Sequence, residues 1–478
     1  MKILHTTAEL FPYLKVGGLS DMLASLSKIQ SKENEVHIAI PLLTKIRNKI
    51  DFSGKQYLAI LDEDFYSTDA CILLQKSKFL HSKKDNVNLY FFESEIFSKY
   101  ENIYGNTDEL YSFAIFSFAC YTLALQLDVD VVHSHDWHTA LTAVINGNRR
   151  KGKPSIFTIH NLAYQGDHPY WMTGFLKIDP FNLNLDLLAN YDKVNYMKGA
   201  LTFAQQITTV SAGYRDEVLH EPEGCHLSWI LNQRKDAFKG ILNGIDELEW
   251  NPKSDSKIYK NYNINNYNLG KFINKVNLYK EYGIGADPAR PMIGLIGRLT
   301  YQKGFDTFIS SFREKWDLPF YYVVLGSGDL SLEGILFHES HHSNNRIYFY
   351  KGFDETLARK IEAASDFFLM PSLFEPCGLN QLYSHTYGSI PIVSRVGGLK
   401  DTVNESEDIN YLTGFVFEPG LSHSLNYALS RAADLYNRKD DLKRVRKNIM
   451  SLDWSWKKSE SEYIEIYREA ILRKNRYE

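Results

Sequence analysis

The stretch FEPCGLNQLYSHTYGSIPIV (residues 374–393) puts Glu375 at the end of an apolar run, with Pro376 to stop a strand and Gly378 to open a helix. A carboxylate beside helix-start N–H groups offers an acceptor for hydroxyls and donors for an anion, the complement of a sugar phosphate. A second loop, GRLTYQKGFD (297–306), sets Arg298 and Lys303 five residues apart across a strand-to-helix turn. Two cations in one loop suit a diphosphate and would offset charge on it as a leaving group, although either alone also reads as a solvated residue. HSHDWHTA (133–140) gathers His133, His135 and His138 around Asp136. His133 and His135 share a strand face, as metal ligands would, but no H-E-x-x-H pattern accompanies them, and Asp136 reads better as meeting a polar ligand at the strand end. IHNLAYQG (159–166) ends an apolar run on His160 and Asn161, either a satisfied core histidine or part of a cleft wall.

Further glycine loops and acidic pairs have a plainer reading beside the chemical one. LKVGGLSD (14–21) and SRVGGLKD (394–401) share Val-Gly-Gly-Leu between a strand and a helix. Glycine there admits close backbone approach to a ligand, and the helix start suits an anion; a plain glycine turn is the alternative. HESHH (338–342) is metal-like in composition but lies at a polar helix end, where solvation accounts for it. The D-x-D pairs Asp128/Asp130 and Asp62/Asp64 fall at the opening of a buried strand and in a polar turn, so neither is read as a metal-bound nucleotide site.

These residues must be held by a large soluble-type scaffold. A chain of 478 residues with 44% hydrophobic and 23% charged residues points to two or three ordinary globular domains. A net charge of −4 makes no electrostatic case for nucleic acid or an anionic membrane. Cys71, Cys120, Cys225 and Cys377 form no C-x-x-C pair, which argues against a disulfide scaffold or zinc ribbon and for a reducing compartment. The start MKILHTTAEL lacks a signal-peptide pattern, and no uncharged apolar run approaches the roughly 20 residues that span a bilayer. A cytoplasmic location is expected.

The scaffold alternates short apolar runs with helical segments. KILHTTAE, VHIAIP, YLAIL, CILLQ, VNLYFFES, VDVVHSHD, PSIFTIHN, QITTVSA and KGILNGI read as strands of a first half. DELYSFAIFSFACYTLALQ is apolar nearly all round and predicts a buried helix. After a polar, Asn- and Lys-rich stretch from Asn251 to about Lys275, MIGLIGRL, FYYVVLG, RIYFYKGF, DFFLMPS and IPIVSRVGG restart the pattern. Near-continuous apolar strands between helices imply parallel sheets covered on both faces, hence two doubly wound α/β domains joined near residue 245. WKKSESEYIEIYREAILRK is an amphipathic helix expected to pack back on the first half.

In this order, LKVGGLSD, VVHSHDWHTAL, FTIHNLAYQG, LNGID, GRLTYQKGFD, FEPCGLNQLYSHTYGSIPIV and VGGLKDTV resemble the glycogen and starch synthase family of retaining glycosyltransferases. The resemblance implies a GT-B fold, two Rossmann-like domains facing a deep cleft: residues 1–244 on the acceptor side and 245–456 for the nucleotide-sugar donor, with a terminal helix at about 457–478. It implies transfer of glucose from ADP-glucose to the non-reducing end of an α-1,4-glucan with retention, leaving ADP, with no cofactor and no metal. By the same resemblance Glu375 meets the donor sugar, Cys377, Gly378 and Leu379 its hydroxyls and phosphate, and Arg298 and Lys303 the diphosphate. Lys15, Gly17 and Gly18 match a loop meeting that diphosphate. His160 matches a residue near the glucose C6 hydroxyl, Asp136, Asn161 and Asn243 line the same cleft, Phe353 stacks on adenine, and Glu9 lies toward the acceptor. Retention in the family is ascribed to a front-face route in which the leaving phosphate helps deprotonate the incoming hydroxyl.

Departures cluster in the first half: Ser20 replaces a third glycine, Ser27 a proline and Ser112 an arginine, and residues 221–234 match poorly. They bear on acceptor choice more than on donor binding. Three alternatives stand beside the main expectation: UDP-glucose as donor, a non-catalytic glucan-binding relic, and a metal-dependent hydrolase on His133, His135 and His138. Retention of Lys15, His160, Arg298, Lys303 and Glu375 speaks against the relic.

Overall fold

The computed structural model describes residues 1–60, 68–169, 189–190 and 193–476. Asp62 and Asp64 lie outside them. The chain forms two compact units, Met1–Gly244 with Trp456–Glu478, and Ile245–Ser455.

In the first unit the strands are β1 (Lys2–Thr6), β2 (Glu35–Pro41), β3 (Gln56–Leu58), β4 (Lys78–Lys84), β5 (Val87–Glu93), β6 (Val131–His135), β7 (Ser155–Ile159), β8 (Asp167–Pro169), β9 (Ala189–Asn190), β10 (Lys193–Asn195), β11 (Gln206–Thr209) and β12 (Phe238–Gly240). The main sheet runs β12-β11-β7-β6-β1-β2-β5-β4-β3, with β8-β10-β9 a small separate sheet. Strands from β12 to β5 are parallel. β4 and β3 add an antiparallel edge, an addition to the parallel sheet read from the sequence. CILLQ, read as a strand, lies in the helix Thr68–Lys76 instead; a short apolar run does not separate strand from buried helix by pattern alone.

The central parallel strands are fully buried, as sheets covered on both faces must be. The helix Glu109–Leu127 supplies much of that cover, with Phe113, Phe116 and Leu123 fully buried. Contrary to the expectation that no run approaches membrane-spanning length, it is long and apolar enough to cross a membrane by composition, but 78% of its most apolar window is buried inside the unit, which makes it a core helix. The helix Lys457–Arg476 packs here too. Its Tyr467 hydroxyl accepts from Gln30 Nε2 at 3.0 Å and lies 2.9 Å from His133 Nδ1.

The second unit holds β13 (Met292–Ile296), β14 (Tyr321–Gly326), β15 (Ile347–Lys351), β16 (Phe367–Met370), β17 (Ile390–Ser394) and β18 (Phe415–Phe417). They form an all-parallel sheet in the order β15-β14-β13-β16-β17-β18. The Asn- and Lys-rich stretch is part of this core. Lys271, in the helix Tyr267–Glu281, is buried with Nζ on the carbonyls of Glu362, Ala363 and Tyr387. Burial opposes ionisation of Asp366, but Lys275 and Arg446 bond its carboxylate and hold its pKa at about 2. Buried charges persist only when paired in this way.

Candidate active site

In an open parallel sheet, loops diverge where the strand order reverses, and the crevice outside the carboxyl ends there is the usual ligand site. In the second unit that point lies between β13 and β16, in the first between β1 and β6. The residues singled out by the sequence follow the carboxyl ends of strands in one unit or the other.

The loop after β13 carries Arg298 and Lys303, and the loop after β16 carries Glu375. Lys303 Nζ meets Glu375 Oε2 at 2.5 Å, and Ser372 Oγ donates to the same oxygen at 3.0 Å. Glu375 is 7% exposed. The two loops are also stitched by backbone: Leu373 N donates to Gln302 O at 2.8 Å, and Gln302 Nε2 to Phe374 O at 3.2 Å. An ammonium has three protons, so Lys303 keeps donors for a phosphate oxygen while paired with Glu375. Arg298 is exposed, and no described residue bonds its side chain.

The second Val-Gly-Gly-Leu lies directly beneath Glu375. Gly398 N donates to Glu375 O at 3.1 Å. A Cβ on Gly397 would stand 2.0 Å from Glu375 O, and one on Gly398 would stand 2.2 Å from Cys377 O. Only glycines admit that approach, so this copy is a floor for the Glu375 loop. Cys377 is buried, and Gln381 Nε2 bonds the carbonyls of Cys377 and Gly378 at 3.1 Å each. Leu379 leads into the helix Asn380–Tyr387 without a side-chain cap on its first turn. Phe353, after β15, is 80% exposed.

In the first unit the first Val-Gly-Gly-Leu is held differently. Glu9 Oε2 accepts from Val16 N at 2.8 Å and Gly17 N at 2.7 Å, and Oε1 accepts from the Tyr104 hydroxyl at 2.7 Å. Glu9 is 5% exposed, so the residue expected toward the acceptor is an anchor for the Lys15–Gly18 loop. Lys15 Nζ pairs with Asp21 at 2.9 Å. The helix Gly18–Gln30 follows with no side-chain cap, and Ser20, in place of the third glycine, turns its hydroxyl back to Gly17 O at 2.9 Å.

Asp136 follows β6 with φ 55° and ψ 177°, a region essentially reserved for glycine that costs a residue of this type on the order of 1–3 kcal/mol. Its Oδ1 accepts from His160 N at 2.8 Å and Asn161 N at 3.4 Å. Burial lifts its pKa to about 7 against those two bonds, with the Glu9 charge adding to the rise. A strained carboxyl near neutrality therefore ties the β6 loop to the β7 loop. Asn161 Oδ1 accepts from Ala163 N at 3.0 Å. Asn243 Oδ1 is buried without a hydrogen-bond partner among the described residues.

The histidines form a different group from the one the sequence suggested. His5, His133 and His135 bring ligand atoms within 4.8 Å of one another, while His138 packs against Tyr104 and Trp137. All six ring nitrogens of the three already have partners. His5 bonds Gln30 and His135, His133 bonds Tyr467 and Thr158, and His135 bonds His160. Burial keeps all three neutral, His5 with a pKa of about 4 and the other two well below the usual value. A hydrogen-bonded cluster with no carboxylate among its partners fits structure better than a metal. His338, His341 and His342 are exposed on the helix Leu330–His342, and Asp128 and Asp130 pair with Lys153 Nζ and Lys2 N. Four contributors carried no sequence signal: Ser372, on the loop of Glu375 itself, and Tyr104, Gln30 and His5, each brought in by a neighbouring element. For His5 the β1–β6 register, which sets it opposite His133, is the one clue a sheet alignment supplies.

Two Rossmann-like units with charged groups at both switch points define a GT-B glycosyltransferase. Residues 2–233 match the family model described as starch synthase catalytic domain, and residues 283–449 the model for glycosyl transferases group 1. A glycogen synthase of Leptospira biflexa is 56% identical over 475 residues, covering 98% of this chain and 99% of that one. One of Exiguobacterium sibiricum is 36% identical, covering 98% and 99%. The structure of the catalytic domain of starch synthase IV from Arabidopsis thaliana, bound to ADP and acarbose, matches with a TM-score of 0.88 at 32% identity, covering 98% of this chain and 99% of that one. The chain belongs to the glycogen and starch synthase family of hexosyltransferases.

Proposed function

We propose that the protein transfers glucose from ADP-glucose to the non-reducing end of an α-1,4-glucan with retention, releasing ADP and using no metal. The observation that carries this reading is the Lys303–Glu375 pair at the β13/β16 switch point, beside an exposed Arg298. A carboxylate with a cation on one oxygen accepts hydroxyls through the other, and the two cations offset charge growing on the departing diphosphate. Burial of Glu375 and its tie to Ser372 fix that geometry before substrate arrives, which is where the catalytic advantage of such groups lies.

The remaining assignments follow the same reading. Cys377, Gly378 and Leu379 present the sugar-phosphate side of the helix start, and Phe353 is the exposed aromatic for adenine. Lys15, Gly17 and Gly18, on the loop Glu9 anchors, serve the diphosphate. Asp136, His160, Asn161 and Asn243 serve the sugar. Residues 1–244 with the terminal helix form the acceptor-side domain and 245–456 the donor domain. The reading places the protein in the cytoplasm, with the nucleotide sugar and an α-glucan as its partners.

Incorporation of labelled glucose into glycogen, with ADP-glucose and UDP-glucose in parallel and chelator present, tests this directly. Transfer from ADP-glucose that survives the chelator is the expected result. No transfer from either donor by folded protein would overturn the reading, and faster transfer from UDP-glucose would overturn the donor assignment.

A further inference from the structure

A line of hydrogen bonds runs from Gln30 to His160 through the core of the first unit. Gln30 Oε1 is 2.9 Å from His5 Nε2, His5 Nδ1 is 3.1 Å from His135 Nε2, and His135 Nδ1 is 3.1 Å from His160 Nε2. Gln30, His5 and His135 are each fully buried. His160 is partly exposed, and no described residue bonds its Nδ1.

The direction of every bond in this line follows from its first member. An amide oxygen only accepts, so the proton on His5 sits on Nε2. A neutral imidazole carries one N–H, so His5 Nδ1 is bare and must accept from His135 Nε2–H. By the same step His135 Nδ1 is bare and accepts from His160 Nε2–H. The proton of His160 is thereby on Nε2. An additional proton on His5 or His135 would set two N–H groups head to head at one junction. At His160, the open end of the line, burial disfavours a second proton and lowers the pKa to about 3.

The amide is itself oriented from its other end. Gln30 Nε2 donates to the Tyr467 oxygen, leaving the Tyr467 proton for His133 Nδ1 and the His133 Nε2–H for Thr158 Oγ1 at 2.6 Å, which lies 2.5 Å from Thr208 Oγ1. Turning the amide over would reverse every proton in both branches together. One side chain on the helix Gly18–Gln30 thus governs the hydrogen-bonding character of a histidine three hydrogen bonds away.

We propose that Gln30, acting through His5 and His135, fixes His160 in its Nε2–H tautomer, so that Nδ1 is presented as a bare acceptor for a hydroxyl of the donor sugar. Gln30, His5 and His135 are positioning residues in this scheme. The assignment of the hydroxyl rests on the function proposed above, whereas the tautomer rests on the hydrogen-bond line alone. A bare Nδ1 accepts from a sugar hydroxyl; the opposite tautomer would present N–H to it and leave the hydroxyl proton unmatched.

Two-bond proton–nitrogen correlation spectra of protein carrying labelled histidine read the tautomer without substrate, with His160→Gln identifying the His160 signals. The expected spectrum has Nε2 protonated and Nδ1 bare at neutral pH. Gln30→Leu, close in volume and unable to accept, is expected to mix the tautomers. It should also raise KM for ADP-glucose roughly two- to tenfold with a smaller change in kcat, two if half the molecules keep the competent form and ten if the reversed form dominates. A proton on His160 Nδ1 in the unaltered protein overturns the inference even if Gln30→Leu fails to fold. So does a folded Gln30→Leu with His160 still wholly Nε2–H. Absence of transfer with the tautomer as expected would remove the glucosyl reading and leave the tautomer assignment standing.

Discussion

Replacing Asp136 with Asn removes the ionisation of a carboxyl that the fold prefers neutral, and the effect has a definite sign in pH. The carboxyl titrates near 3.8 in the unfolded chain and at about 7 in the folded one. Between those values the folded state holds a proton that the unfolded chain has released. The stability this group contributes is therefore complete below pH 3.8 and is lost as pH rises to about 7. Asn keeps an oxygen for the His160 and Asn161 amides and has no such dependence. From pH 5 to pH 8 the native protein should lose ground to Asp136→Asn over about two pKa units, at most about 3 kcal/mol. Asp136 is partly exposed, and solvent screening brings this to about 1.5 kcal/mol. For a domain of this size that is a relative Tm change of about 3–6 °C. Thermal unfolding of both proteins at pH 5 and pH 8 measures it, with other titrating groups cancelling in the difference. A Tm gap that stays constant with pH would show that Asp136 ionises normally, and the reasoning from burial would be wrong.

Other perturbations address the remaining parts of the site. Glu375→Gln should reduce glucosyl transfer by on the order of 10²–10³-fold with the Tm little changed, as removal of one oriented charge at a reacting centre does; unchanged turnover would remove Glu375 from the mechanism. Gly398→Ala drives a methyl against the Cys377 carbonyl and should cost about 1–3 kcal/mol of stability together with a fall in kcat, read by unfolding and steady-state assays. Glu9→Ala frees Val16 and Gly17, whose amides can turn to water, and strands the Tyr104 hydroxyl. A destabilisation of about 1–3 kcal/mol is expected, with faster proteolysis near Lys15 and a raised KM for ADP-glucose.

Much of this site is legible without coordinates because its members follow apolar strands. DFFLMPS announces β16, and the residues after it must face the carboxyl end of a parallel sheet. The same logic places Arg298 and Lys303 after MIGLIG and His160 after SIFTI. What the pattern hides is anything made by contact between elements. Glu9 touches its loop through backbone amides, which any residues supply, so no side-chain pattern marks it as an anchor. His5 joins His133 and His135 only through the β1–β6 register. Lys271, Lys275 and Arg446 read as surface residues by type, yet carbonyls and Asp366 hold them in the core. CILLQ shows the limit of short apolar runs, since five residues satisfy strand and helix periods alike.

The helix Lys457–Arg476 completes the first unit from the far end of the chain. During synthesis, Gln30, His5 and His133 emerge early, but the Tyr467 hydroxyl that meets Gln30 and His133 arrives only after residues 245–455 have been made. The unit begun first is thus the last to be finished. Until then its sheet shows the uncovered groove that Tyr463 and Tyr467 will fill, so a nascent chain stalled before residue 456 would be a natural client for a holding chaperone.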